Sequence, residues 1–228
     1  MKIYAVLNGQ TDLDVEGRLQ GSSDLPLNDH GQAQSHDIAK DLQSKGVEMI
    51  MAATQKRTME TAEIIAGHLG IDGSKIVKGM KLHERDFGDY EGQSKDEVDM
   101  FVLSSFTGHA ATPNGETIRE TACRVITYLN NMLKIFRGKT ILLVVPDQVL
   151  TVLFWYFKGL PVVGNEHSVE VKNGVIYEFE TDDIPEEMKD NQTITEKINP
   201  SGGDGANNAE RVLSQDEIDM LINKIKEK

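Results

Sequence analysis

The segment from Thr140 to Val145, TILLVV, restricts the possible folds of this chain more than any other feature. All its residues but the first are apolar. Because successive side chains of a strand point to opposite faces, such a run predicts a strand that is covered on both faces. Strands of this kind lie inside parallel sheets. Apolar runs at residues 2–8, 48–53, 74–79 and 139–146 are therefore predicted strands.

Helical patterns alternate with these strands. Apolar residues at helical spacing predict helices at 30–46, 54–70 and 115–136, the first two ending at the glycines Gly46 and Gly70. Asn173-Gly174, placed between alternating segments, predicts a hairpin. The sequence thus predicts an α/β domain over residues 1–181, with α/β/α layers and a mainly parallel sheet covered by helices on both faces.

Composition changes after this domain. Residues 182–211 are polar and rich in glycine and proline, which predicts a flexible linker, and residues 212–228 regain the pattern of an amphipathic helix.

The formal net charge of −13 disfavours binding to nucleic acid or to anionic membranes. The opening MKIYAVLN is predicted to be a strand and not a signal peptide, and a single cysteine, Cys123, fits a reducing cytoplasm.

Three sequence motifs follow one another along the domain. They are GQTDLDVEGRLQGSSDLPLNDHGQAQ (Gly9–Gln34), KRTMETAEIIA, which contains Arg57, and LHERDFGDYEG, which contains Glu84. Together they resemble the histidine phosphatase superfamily, also called the phosphoglycerate mutase-like fold. The resemblance implies that Arg57 occupies a phosphate-binding position and Glu84 the position of the proton donor.

The same resemblance indicates that three of the family's catalytic residues are missing from this chain. Members of the family use a histidine nucleophile after an arginine, and a second histidine later in the chain; here these positions hold Leu7, Asn8 and Pro146. An amide nitrogen has no available lone pair for attack, and proline offers no donor. Because three members of one catalytic unit are absent together, the sequence predicts that no intact catalytic set remains. The predicted remnant of the phosphate site consists of Arg57, Gln10 and Thr11.

Two residues are candidates to replace the nucleophile. His109 lies in a loop that is predicted to cover the pocket, and Asp147 follows the Pro146 position, although no lysine accompanies it in the sequence. His30, His36 and His68 are predicted to be solvated, and His83 and His167 carry no motif role. No spacing indicates a metal site or a nucleotide-binding loop, so no metal and no cofactor are predicted.

The C-terminal segment LSQDEIDMLINKIKEK carries the signals of a helix. Ser214 and Glu217 form a predicted capping box, Leu213 and Ile218 a hydrophobic staple. The predicted partner-binding residues are Leu213, Ser214, Glu217, Ile218, Asp219, Leu221, Ile222 and Ile225. So short a helix needs a surface, either on its own domain or on a partner, and the long linker favours a partner.

This segment resembles the N-terminal peptide of bacterial flagellar motor switch proteins, which binds the phosphorylated chemotaxis response regulator. The resemblance implies that this regulator, or flagellar motor components, are the partners. The main hypothesis from the sequence is therefore a non-catalytic adaptor in motility. Two alternatives stay open: an active phosphomonoesterase or mutase with a nonstandard site, and a sensor that binds a phosphorylated ligand without cleaving it. The family often forms dimers, which leaves a homodimer open.

Overall fold

The computed structural model describes residues 1–99, 103, 112–159, 171–181 and 183–185. Within these ranges five strands form one sheet in the order β3-β2-β4-β1-β5. Their bounds are Lys2–Leu7 (β1), Met49–Ala52 (β2), Val77–Lys78 (β3), Thr140–Val145 (β4) and Tyr177–Glu180 (β5). The first four run parallel, and β5 pairs antiparallel with β1. The mainly parallel sheet predicted from the sequence is confirmed.

Helices cover both faces of this sheet. Their bounds are Asp12–Val15 (α1), Asp29–Leu42 (α2), Lys56–Leu69 (α3), Ile118–Ile135 (α4) and Asp147–Lys158 (α5), with short 3-10 turns at Gly73–Lys75, Met80–Leu82 and Gly88–Tyr90. The side chains of β4 divide between two cores. Ile141, Leu143 and Val145 pack with α4 and α5, whereas Leu142 and Val144 pack with α2 and α3. This division explains why the strand is apolar throughout.

The ends of the helices follow local chemistry. Helix α3 ends at the predicted glycine, since Gly70 adopts φ 68° as a left-handed cap. Helix α2 ends at Leu42, earlier than predicted, and residues 43–46 form turns. Helix α4 starts behind Thr117, whose hydroxyl and Glu120 form a capping box. Helix α5 was not predicted, because most of its residues are apolar and a short apolar run cannot be assigned to a helix or a strand by its pattern alone.

The Asn173-Gly174 turn is present, with Gly174 at φ 78°, and the strand that follows it is β5. The predicted first arm of this hairpin lies mostly outside the described residues. In the described ranges no helix is long and apolar enough to cross a bilayer. The linker and the C-terminal helix predicted for residues 182–228, apart from residues 183–185, fall outside the description and stay predictions.

Candidate active site

A cleft that is open to solvent lies at the carboxyl ends of the parallel strands. Asn8 follows β1, Asp147 follows β4, and Arg57 stands at the start of the helix after β2. This edge is where open α/β sheets bind their ligands. The lining consists of Leu7, Asn8, Asp14, Arg18, Leu19, Gln20, Arg57, Glu84, Phe87, Lys95, Pro146, Asp147, Gln148 and Asn173.

Asn8, at the family's nucleophile position, is held by backbone contacts. Its Nδ2 donates to the backbone carbonyl oxygen of Gly9 at 3.0 Å, and its backbone carbonyl oxygen accepts from Asn173 Nδ2 at 2.6 Å. The side chain is buried next to Leu7, which offers the cleft an apolar wall. Asn8 therefore shapes the floor of the cleft and has no group that can attack phosphorus.

Arg57 lines the cleft but its guanidinium is already engaged. Nη1 donates to the carbonyl oxygen of Ser23 at 2.7 Å, and Nη2 donates to those of Gly21 and Gln20 at 3.0 and 3.4 Å. In the described part of the chain all hydrogen bonds of the guanidinium go to this loop, and none goes to Glu84. Burial lowers the pKa of Arg57. Its charge acts on the cleft through space.

Gln10 and Thr11, the other members of the predicted phosphate-binding remnant, do not line the cleft. Gln10 Oε1 accepts from Asn28 Nδ2, and the backbone N–H of Gln10 donates to Gln34 Oε1. Thr11 caps α1, where its hydroxyl accepts from the backbone N–H of Asp14 and lies 2.9 Å from Asp14 Oδ2 and 2.8 Å from Gln20 Oε1. Of the three predicted phosphate-binding residues, Arg57 thus lines the cleft, and Gln10 and Thr11 lie outside its lining.

Glu84 is the most deeply buried carboxyl group of the cleft, 6% exposed. It accepts hydrogen bonds from the backbone N–H groups of Arg85 at 2.8 Å and Gln148 at 3.2 Å. Burial first, and then the charge of Asp147, raises its pKa to about 7. Arg124 fixes the segment around it, because its guanidinium donates to the carbonyl oxygens of His83 and Glu84 while pairing with Glu116. Glu84 can therefore hold a proton near neutral pH.

This raised pKa predicts a pH-dependent stability. Because the folded-state pKa of about 7 exceeds the ordinary 4.5, the folded chain binds this proton more tightly than the unfolded chain. Its contribution to the free energy of unfolding is full below about pH 4.5 and is lost as pH rises through about 7. Relative to Glu84→Gln, we expect wild type to lose up to about 3 kcal/mol over this interval. Urea unfolding of both proteins at several pH values measures it, and parallel curves would contradict it.

Asp147 is one of the three carboxyl groups that line the cleft, with Glu84 and Asp14, and opens α5 behind Pro146. It is exposed to the water of the cleft although protein surrounds it on most sides. Desolvation raises its pKa, while the charge of Lys95 lowers it. The expectation that no lysine accompanies Asp147 is therefore wrong. Lys95 lies far away in the sequence and comes to the same cleft through the fold.

A short antiparallel bridge between Arg18 and Ser94 positions the next residue, Lys95, in the lining of the cleft. The amide of Lys95 donates to the carbonyl oxygen of Gly17, and that of Leu19 to Gln93, both at 2.9 Å. Arg18 itself pairs with Glu16 and donates to Gly92, so its charge is partly used at the rim. Sequence reasoning missed Lys95, Arg18, Asp14 and Gln20, because no spacing connects these residues to the family positions.

The histidines lie away from the cleft wherever the structure describes them. His83 contacts Thr54 Oγ1, and burial, with the charge of Arg124, lowers its pKa. His30, His36 and His68 lie on α2 and α3. His109 and His167 fall outside the described residues. Within the described ranges no group of three His, Cys, Asp or Glu residues is arranged to hold a metal ion.

In open α/β sheets, the cleft at the carboxyl ends of the parallel strands is the usual place for a small ligand. The profile of the histidine phosphatase superfamily (branch 1) matches residues 3–190, and the chain belongs to this family.

Relatives and solved structures agree with this assignment. The chain is 30% identical over 191 residues to the "Probable phosphoglycerate mutase GpmB" of Enterobacter sp., covering 81% of this chain and 87% of the relative. It is also 30% identical over 196 residues to a 2,3-bisphosphoglycerate-dependent phosphoglycerate mutase of Bartonella bacilliformis, covering 79% and 93%. A mycobacterial glucosyl-3-phosphoglycerate phosphatase in complex with VO3 has a TM-score of 0.69 and 21% identity, covering 78% and 91%, which shows a common fold.

These comparisons contradict the main hypothesis from the sequence, a non-catalytic adaptor in motility. The relatives are named as mutases, and the solved structure as a phosphatase, so the findings fit the enzyme alternative instead. The prediction that no intact catalytic set remains rests on the absence of histidine at Asn8 and Pro146, and it gives Lys95 no part. The predicted partner-binding residues of the C-terminal helix lie outside the described part of the chain. Those residues are Leu213, Ser214, Glu217, Ile218, Asp219, Leu221, Ile222 and Ile225.

Proposed function

We propose that this chain is a phosphoric monoester hydrolase with a nonstandard site, in which Asp147 is the nucleophile and Glu84 the general acid and base. The observation that carries the proposal is the meeting of these two carboxyl groups with Lys95 in one cleft. Their environments differ: Glu84 is buried and keeps a proton, whereas Asp147 faces the water of the cleft beside a positive charge. Two carboxyl groups with different environments can take the two roles.

The reaction balances with these groups. A carboxylate oxygen of Asp147 forms a bond to phosphorus as the ester P–O bond breaks, and protonated Glu84 gives its proton to the leaving oxygen. Water then attacks the phosphorus of the aspartyl phosphate and transfers a proton to the Glu84 carboxylate. Phosphate leaves, Asp147 regains its carboxylate, and Glu84 is again protonated.

Electrostatics support this assignment of roles. A protonated Glu84 removes the repulsion that two carboxylates would exert on each other and on the phosphate. Lys95 and the buried charge of Arg57 offset the negative charge of the phosphoryl group. Lys95 also favours the ionised form of Asp147. The backbone N–H of Gln148, at the start of α5, points to the Glu84 carboxylate and stabilises it after it has given up its proton.

The two roles predict a bell-shaped pH profile for hydrolysis of p-nitrophenyl phosphate. Activity requires an ionised Asp147, whose pKa is raised, so kcat/KM falls on the acid side. It requires a protonated Glu84, so kcat/KM falls again as pH rises through about 7. Assays from about pH 5 to about pH 9 test the proposal. In Glu84→Gln the alkaline fall is expected to disappear with a lower kcat, and an unchanged profile would contradict the role of Glu84.

A sensor that binds a phosphorylated ligand without cleaving it gives no turnover above the buffer blank in these assays. Calorimetry then shows saturable binding of a phosphosugar. The cytoplasm remains the expected compartment, on the evidence of the single cysteine. The resemblance of residues 213–225 to a switch-protein peptide remains a prediction from the sequence.

A further inference from the structure

Two histidines face each other across the packed helices α2 and α3. His36 Nδ1 and His68 Nε2 are 2.9 Å apart, and the ring centroids are 5.1 Å apart with the planes at 63°. His36 is exposed and His68 half-buried, so the pair lies at the surface. It stands away from the cleft, since Arg57 marks the start of α3 and His68 its last turn.

We propose that His36 and His68 form a binding site for a divalent transition-metal ion of the kind that prefers imidazole, such as Zn²⁺. Neutral imidazole nitrogens are good ligands for this ion at about 2.0–2.1 Å. Two nitrogens at that distance from one ion, at a tetrahedral angle, lie about 3.3 Å apart. At 2.9 Å the two nitrogens are hydrogen-bonded to each other, so the ion replaces the shared proton between them and their separation opens by a few tenths of an ångström.

The scaffold under the pair is rigid, which favours a preformed site. Small side chains let the two helices approach closely, and Ala39 packs with Ala62 and Ala66 in one buried cluster. The hydroxyl oxygens of Ser35 on α2 and Thr61 on α3 lie 3.5 Å apart, which is a second close contact between the two helices. Ligands held on packed helices lose little freedom on binding, so less of the binding free energy is spent in ordering them.

The surroundings leave room for water to complete the coordination. The described residues provide no third His, Cys, Asp or Glu for this site. The neighbouring Asp37 is paired with Lys40 at 2.8 Å and is already engaged. The net charge of −13 attracts cations to the molecule as a whole. The site therefore offers two protein ligands and positions for water.

Calorimetric titration of the full chain with Zn²⁺ tests the site. We expect one saturable binding event, with its affinity lowered about tenfold or more in His36→Asn and in His68→Asn, because each variant removes one of two imidazole ligands. A thermal scan is the second measurement, since an ion that bridges two helices binds the folded state and raises the midpoint of unfolding.

His30→Asn is the matched control, because His30 is an exposed histidine near the start of the same helix α2. It is expected to bind Zn²⁺ like wild type and to show the same rise in midpoint. Equal Zn²⁺ affinity in all four proteins, or an equal loss in His30→Asn, would overturn the proposal. Both readouts are independent of phosphatase activity, so failure of one proposal leaves the other in place.

Discussion

Asp147→Asn is expected to lower kcat for p-nitrophenyl phosphate by about 10³-fold or more, with a smaller effect on KM. The substitution keeps the size of the side chain and its place at the start of α5, but its amide cannot form a bond to phosphorus. Lys95 and Glu84 are retained. A loss of this size therefore reports the bond-forming group and not the shape of the cleft.

Asp96→Asn is the matched control for this experiment. Asp96 is exposed beside Lys95, does not line the cleft, and bonds locally through its backbone amide to Ser94. The control receives the same chemical change and is expected to keep the activity of wild type. Full activity in Asp147→Asn, or an equal loss in both variants, would rule out Asp147 as the nucleophile.

Gly9→Ala is expected to destabilise the folded chain by about 3 kcal/mol or more. A Cβ at Gly9 would lie 2.3 Å from the carbonyl oxygen of Gly31 and within 2.9 Å of its Cα. These are backbone atoms in the first turn of α2, so no side-chain rotation relieves the overlap. The reverse contact is as close, since a Cβ at Gly31 would lie 2.2 Å from the carbonyl oxygen of Gln10.

The free energy of unfolding in urea measures this effect, and Gly67→Ala is its control. Gly67 is exposed in the interior of α3, and a Cβ there meets no atom within 4 Å. Because alanine is the better helix former, the control is expected to gain up to about 1 kcal/mol. Equal effects of the two substitutions would show that the loop after β1 does not pack against α2 as described.

Much of the fold could be predicted from local patterns. Residues 140–145 predict a central strand because their side chains enter both cores, and Gly70 predicts the end of α3 because it takes the left-handed conformation. Helix α5 was not predicted, because most of its own residues are apolar and could equally form a buried strand. In the sequence its N-cap, Pro146, is notable only as the position of a missing histidine.

The candidate site could be predicted only in part. The family positions Asn8, Arg57 and Glu84 converge on one cleft, as the resemblance implied. The raised pKa of Glu84 depends on burial, and the charge beside Asp147 depends on the bridge that brings Lys95 near. The carbonyl groups that occupy Arg57 come from a loop remote in sequence. Contacts between distant segments leave no local signal.

The central claim is that Asp147 takes up the phosphoryl group. Quenching parallel samples of the full chain in acid and in alkali during turnover of p-nitrophenyl phosphate, followed by peptide mass mapping, tests it most directly, because an acyl phosphate survives the acid quench and a phosphohistidine survives the alkaline one. The account predicts one phosphoryl group on the peptide that contains Asp147, removed by hydroxylamine as an acyl phosphate is and absent from Asp147→Asn. A phosphoryl group on a histidine such as His109, or turnover with no phosphorylated Asp147 at any time, would contradict it.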